Sequence, residues 1–331
     1  MPNNETEEES KESKAKKRIK TLSRIIISVI AFALLIKYGK VDVKEAVKYL
    51  FTVNPFYFGL AFTCYIITMF LSGKRFFSAS SAVGFKKNYM QCLQLNFVGT
   101  LFNNFLPTTF GGDAIRGYYL KRGSNQSLSK AVSCLICERY VGMVILFWIA
   151  SLAFILQDIG IISKTEWTMP RQMAYFSHGG TIFSFLIMPF LPQIGGLLLG
   201  KQNWFYRKFI EPGLVYWHNL GLIFRIFILS VFLQIFVILT HLFIAMSLNI
   251  NIPLSYYLVF YPITTIAGFL IPSLNGLGVR EGAYVYFLSK VSIDSHKGLA
   301  FGLGWLIILF LTSIIGGIIY LVGDFREHKH N

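Results

Sequence analysis

The residues best placed to do chemistry in this sequence are charges and glycines set beside prolines within apolar stretches. One group reads Asn103-Asn104-Phe105-Leu106-Pro107-Thr108-Thr109-Phe110-Gly111-Gly112-Asp113-Ala114-Ile115-Arg116. A second reads Leu270-Ile271-Pro272-Ser273-Leu274-Asn275-Gly276-Leu277-Gly278-Val279-Arg280-Glu281-Gly282. In each, proline marks the end of an entering helix and glycine permits a close turn. A new helix is expected near Asp113 in the first group and near Arg280 in the second. The free N–H groups and positive dipole end of such a helix form an anion site, which a nearby arginine strengthens. Arg116 and Arg280 are therefore candidates for gripping a phosphate. The alternative role for each is an interfacial anchor.

Glu138 and Arg139 stand side by side in the apolar run 131–156. Ionisable residues at membrane depth are costly and point to function by default. Adjacent helical side chains point about 100° apart, so this pair needs two partners. Arg116 with Glu138, or Asp113 with Arg139, is the natural pairing, and it serves either a structural network or a proton or substrate relay. Asn96, Asn103, Asn104, Gln91 and Gln94 make the stretch before Pro107 too polar for lipid exposure, so it should line an aqueous or headgroup cavity. Other chemistries find little support. The sequence has no G-x-S-x-G, no H-E-x-x-H and no spaced metal-ligand cluster. Cys64, Cys92, Cys134 and Cys137 lie in or beside apolar segments and read as small buried residues. No metal or cofactor is implied.

These residues need elements to hold them, and composition says which kind. Hydrophobic residues make up 54% of the 331 residues and charged residues 14%, against about 25% charged in a soluble domain. The mean hydropathy of +0.55 comes from long apolar blocks. Such blocks are the mark of an all-α integral membrane protein. Lysine and arginine outnumber the acids 31 to 16, giving +15, but most flank apolar segments. That placement suits positive-inside retention and anionic headgroups better than nucleic acid.

Apolar segments run near 22–38, 55–73, 89–106, 131–156, 180–200, 222–248, 254–272 and 297–322. The basic connections 74–88 and 116–130 both belong on the cytoplasmic side, which requires 89–115 to enter and return. The same reasoning makes 254–291 a second hairpin, entered from outside. Six full spans and two re-entrant broken-helix hairpins result, with both termini cytoplasmic in a cell membrane. Residues 1–20 form a disordered cytoplasmic tail without a cleavable signal, 21–322 one transmembrane domain, and 323–331 a closing tail. Pro107 and Pro272 are 165 residues apart. That offset lays the first half, about 21–160, onto the second, about 175–322, as span, span, hairpin, span. Opposite starting sides make the two halves an inverted repeat.

L-P-x-x-x-G-G-D-x-x-R with its upstream asparagine, the following Glu-Arg pair and G-x-G-x-R-E-G resemble the flippase-like transmembrane region of the lysylphosphatidylglycerol synthase family, in its stand-alone membrane-protein branch. The resemblance implies a fold with re-entrant helices and movement of a polar-headgroup lipid between leaflets. On matching positions it points to Asn104, Pro107, Gly111, Gly112, Asp113 and Arg116, then Glu138 and Arg139, then Gly276, Gly278, Arg280 and Glu281. No aminoacyl-transfer domain accompanies these segments, so lysyl-lipid synthesis is not implied. Thr108-Thr109 stands where the pattern has smaller residues, which leaves the headgroup open.

The leading expectation is a translocator of an anionic or zwitterionic lipid, a polyprenyl-phosphate carrier among the options. Two other classes remain. One is an intramembrane lipid-linked transferase or hydrolase using Asp113 or Glu281 as a base. The other is a non-transporting membrane partner of a glycosyltransferase or synthase.

Overall fold

The computed structural model of the chain describes Asp42 to Gly323, apart from residues 107–110, 164–166, 188–189, 205, 272 and 274. Before Asp42 it describes Ile26, Val29, Ile30, Ala33, Leu35, Ile36 and Lys37. The tail 1–20, Pro107, Pro272 and residues 324–331 lie outside the described residues. Those described within segment 22–38 are helical, and Leu35 is buried with Ala46, Val285 and Leu299.

In chain order the helices are α1 (Val43–Phe51), α2 (Pro55–Ala82), α3 (Tyr89–Phe105), α4 (Gly111–Lys121), α5 (Leu128–Asp158) and α6 (Arg171–Ile187). They continue as α7 (Leu191–Leu199), α8 (Leu220–Ser247), α9 (Leu254–Leu270), α10 (Val279–Ser289) and α11 (Ser295–Val322). Short helical turns fill Tyr206–Trp217, and no strand occurs among the described residues. Polar caps set the starts. Asn54, Asn88, Ser127, Asn219 and Asp294 each accept a first-turn N–H, opening α2, α3, α5, α8 and α11.

Four helices, α2, α5, α8 and α11, are long and apolar enough to cross a bilayer. At 1.5 Å per residue a 28-residue helix such as α2 reaches about 42 Å, more than the roughly 30 Å of hydrocarbon. Their outward faces stay apolar, as at Phe224 and Phe232 of α8 and Phe310 and Ile318 of α11. Lipid is therefore the solvent these faces suit.

Three boundaries differ from the sequence reading. Residues 74–88 are read as a basic connection, yet α2 continues to Ala82 and carries Arg75 inside the helix. An ion pair to Glu138 removes the reason for Arg75 to sit in a loop. Residues 39–54 fall between two of the expected apolar segments, yet Asp42 caps α1, whose Ala46 packs inward beside Leu299 of α11. The expected span 180–200 divides into α6, which begins at Arg171, and α7, with proline in its first turn. Pro189 and Pro192 lack the N–H that one continuous helix would need.

Three helices of the first half have counterparts of equal length in the second. Helices α2 and α8 are both 28 residues long and start at 55 and 220, 165 apart. Helices α3 and α9 are both 17 residues and start at 89 and 254, again 165 apart. Helices α4 and α10 are both 11 residues, starting at 111 and 279. The second break, 271–278, is three residues longer than the first, 106–110.

Packing follows the same correspondence. Helices α2 and α8 lie against each other and run antiparallel. Asn54 N–H reaches Ser247 O at 2.8 Å at one end, and Tyr216, just before α8, donates to Ala79 O at 2.9 Å at the other. Helix α3 packs on α11, while its counterpart α9 packs on α5. Each break also folds its chain back. Gln126, after α4, donates to Gly84 O, just before α3, at 3.2 Å. Tyr256, at the start of α9, donates to Phe287 O, near the end of α10, at 2.6 Å.

Candidate functional site

Glycines let the two arms of each helical hairpin meet. A Cβ on Gly112 of α4 would stand 1.9 Å from the carbonyl oxygen of Gly99 on α3, so no other residue fits there without backbone movement. A Cβ on Gly99 would meet Cδ of Arg116 at 2.5 Å. The second hairpin repeats the device. Cβ atoms on Gly268 and Gly276 would lie 3.0 and 2.8 Å from Nε of Arg280, and Gly276 has a φ of +82° that favours glycine. In each hairpin, glycine on the first arm makes room for an arginine on the second.

Arg116 is the centre of a buried charge network. Its Nη2 donates to Glu138 Oε2 at 2.7 Å and its Nη1 to Asp113 Oδ1 at 3.3 Å. The guanidinium also lies 4.0 Å from the ring centroid of Phe76, a cation–π contact that gains strength away from water. Asp113 Oδ2 accepts from Arg139 Nε at 2.8 Å. Both pairings drawn from the sequence, Arg116 with Glu138 and Asp113 with Arg139, are therefore present. Glu138 and Arg139 reach different partners because they leave α5 in different directions.

The sequence reading missed one member of this network. Arg75 Nε donates to Glu138 Oε1 at 3.1 Å, and its Nη1 to Ser230 Oγ of α8 at 3.0 Å. The usable signal was apolar sequence on both sides of Lys74-Arg75, from Met69 to Leu71 and at Phe76 and Phe77, which continues the helix through the charges.

A cavity of about 260 Å³ opens onto the network. Arg75, Arg116, Arg139 and Arg280 line it against two carboxylates, Asp113 and Glu138. Asn96 and Asn103 of α3 line it too, as expected for a polar hairpin, and Tyr65, Tyr261, Tyr284 and Trp305 complete an aromatic wall. Three of the arginines pair with carboxylates. Arg280 has no carboxylate in ion-pair range among the described residues. The wall thus carries two more positive than negative groups, as a site for an anion requires.

The other expected residues hold the site's frame rather than its lining. Asn104 donates to Ser313 Oγ at 2.6 Å and to Leu309 O at 3.2 Å, both on α11, and accepts from Asn275. That amide pair joins the last turn of α3 to the second break. Gly111 and Gly112 are buried at the start of α4, and Gly112 N–H is taken by Asn103 Oδ1 at 2.9 Å. Gly278 N–H is taken by Glu281 Oε2 at 2.6 Å, and Glu281 is fully buried as the cap of α10.

Part of the N–H set expected at the helix starts is taken up within the protein, by Asn103 at Gly112 and by Glu281 at Gly278. At each start a side chain of the protein already holds an N–H. A dry interior leaves no water to satisfy such a group, so the chain supplies its own partner.

Beside this polar cavity lies an apolar groove of about 620 Å³ between α4 and α5, bordered by Phe269 of α9. Asp113 and Arg139 line both spaces.

A family model described as the lysylphosphatidylglycerol synthase TM region matches residues 22–317. The chain is 28% identical over 233 residues to the UPF0104 membrane protein MJ1078 of Methanocaldococcus jannaschii, covering 66% of this chain and 92% of that protein. It is 27% identical over 124 residues to the UPF0104 membrane protein MJ1595 of the same organism, covering 37% of each chain. No solved structure matches it.

Proposed function

The chain belongs to the family of the lysylphosphatidylglycerol synthase TM region, and from that premise we propose that it carries a lipid with a polar or anionic headgroup from one leaflet to the other. The observation that carries this reading is the cavity walled by four arginines and two carboxylates where the two broken-helix hairpins meet. Excess positive charge so deep among apolar helices is costly unless it meets an anion. A lipid phosphate is the anion that a membrane supplies in quantity. A polyprenyl phosphate falls in this class.

The proposed topology has six crossings, two re-entrant hairpins and cytoplasmic termini in a cell membrane. The antiparallel pairing of the equal-length α2 and α8 supports an inverted repeat, since halves of opposite orientation bring equivalent helices together head to tail. The Gln126–Gly84 contact supports return of the first hairpin to the side it left. An enzymatic role for Asp113 or Glu281 is less well supported, because Asp113 is held by two arginines and Glu281 caps a helix.

The test is lipid movement in reconstituted vesicles. The protein is inserted at matched density and the transfer of a fluorescent phosphatidic acid between leaflets is followed. Arg280→Ala removes the arginine that has no acidic partner among the described residues and is expected to slow transfer at least about tenfold, with Arg280→Lys intermediate because it keeps charge without the planar fork. Undiminished transfer by Arg280→Ala would remove this residue from the transport site. No transfer by the unaltered protein would end the translocator reading.

A further inference from the structure

We propose that the groove between α4 and α5 is the seat of the lipid's hydrocarbon chain, so that the protein binds a chain-bearing phosphate as one two-part ligand, with Asp113 and Arg139 at the junction of chain and headgroup. This inference rests on the translocator reading and adds to it which part of the lipid is held, and where.

Three observations point to that occupant. The groove, about 620 Å³, lies within the usual size range of small-molecule sites, and apart from Asp113 and Arg139 its wall is mainly apolar, with Val132, Ile136 and Met143 of α5 facing Phe269 of α9. Its α4 side is built from Ala114 and Gly117, small residues that keep the space open. Its wall includes an ion pair, Asp113 with Arg139, and that pair also lines the arginine cavity.

The Asp113–Arg139 pair decides between this occupant and passing bulk lipid. Arg139 gives Nε to Asp113 at 2.8 Å while its side chain stays 40% exposed. Among the described residues its Nη groups have no other polar partner. An ion pair in the wall of an apolar groove is costly in hydrocarbon unless a polar group joins it. A phosphate tethered to a chain in the groove arrives at that place by covalent geometry. The cavity behind it has the complementary charge, four arginines to two carboxylates. A free phosphate satisfies the cavity but leaves the groove unused.

Binding to the purified full-length protein separates these possibilities, with three soluble probes of one headgroup chemistry: glycerol 3-phosphate, dihexanoyl phosphatidic acid and dioctanoyl phosphatidic acid. The eight-carbon chain in the groove carries two more methylenes than the six-carbon chain, so affinity is expected to rise roughly tenfold between those two lipids. Ile136→Trp fills the groove from a position already 53% exposed, where folding should survive, and Val132→Phe provides a second filling variant.

Both variants are expected to flatten the chain-length dependence and to leave glycerol 3-phosphate binding unchanged. Arg280→Ala is expected to weaken all three probes. Equal affinity of the unaltered protein for the three probes would overturn the groove assignment, and so would chain dependence that persists in both filled variants. These outcomes are read in binding, so they stand apart from failure of leaflet transfer, which bears on the translocator reading alone.

Discussion

Glu138 is the residue on which the site's order depends most. It accepts from Arg75 and Arg116 at 3.1 and 2.7 Å and is 2% exposed. Glu138→Gln keeps the shape and removes the charge, leaving the buried Arg116 and the partly buried Arg75 without their shared anion. Breaking a buried pair in this way costs about 3–5 kcal/mol. The melting temperature in detergent is expected to fall well below that of Glu211→Gln, an exposed carboxylate in the segment before α8. Equal melting of the two variants would show that the network contributes nothing to the fold. The need of Glu138 and Arg139 for separate partners was legible in the sequence, because neighbours on a helix diverge. For Arg75 only its place inside a longer helix was legible, from Phe76 and Phe77 after it; its partner Glu138 was not, because that carboxylate stands on another helix.

At the scale of elements, the glycine contacts between hairpin arms bring the arginines inward. The Cβ added by Gly112→Ala would fall 1.9 Å from a backbone oxygen of α3, whereas one added to Gly59 in α2 meets nothing within 4 Å. Gly112→Ala is expected to destabilise the protein by about 1–3 kcal/mol and to weaken glycerol 3-phosphate binding as α4 shifts. Gly59→Ala is expected to be neutral or to stabilise by up to about 1 kcal/mol through helix propensity alone. Thermal melting of both variants checks the pair, and equal destabilisation would contradict the close approach of α3 and α4. The sequence showed two breaks rich in glycine and proline. It did not show which glycine faces which backbone, since that depends on the register between two arms.

For the whole molecule, the proposed topology is open to a labelling test. In a background without native cysteines, Lys86→Cys and Lys121→Cys should react with an impermeant maleimide from the same side of the membrane. Asn251→Cys, between α8 and α9, should react from the other side. All three positions are exposed. If Lys86 and Lys121 label from opposite sides, α3 and α4 together cross the bilayer and the inverted-repeat topology fails. The contact between Gln126 and Gly84 leads us to expect one side.

The sequence by itself determined the class of the protein, the places where the helices α3 and α9 end and two of the ion pairs. These follow from local quantities: how many apolar residues follow one another, where N–H groups are missing at proline, and which way adjacent helical side chains point. The tertiary structure alone decided that Arg75 belongs to the network and that Asn103 rather than Asn104 faces the cavity. It also decided that Asn104 of α3 meets Asn275 of the second break, and that Asn103 and Glu281 each accept one N–H at the starts of α4 and α10. Each of these depends on which partner stands opposite across tens to hundreds of residues. A buried polar group must find some partner, and only the packing of helices against one another selects which.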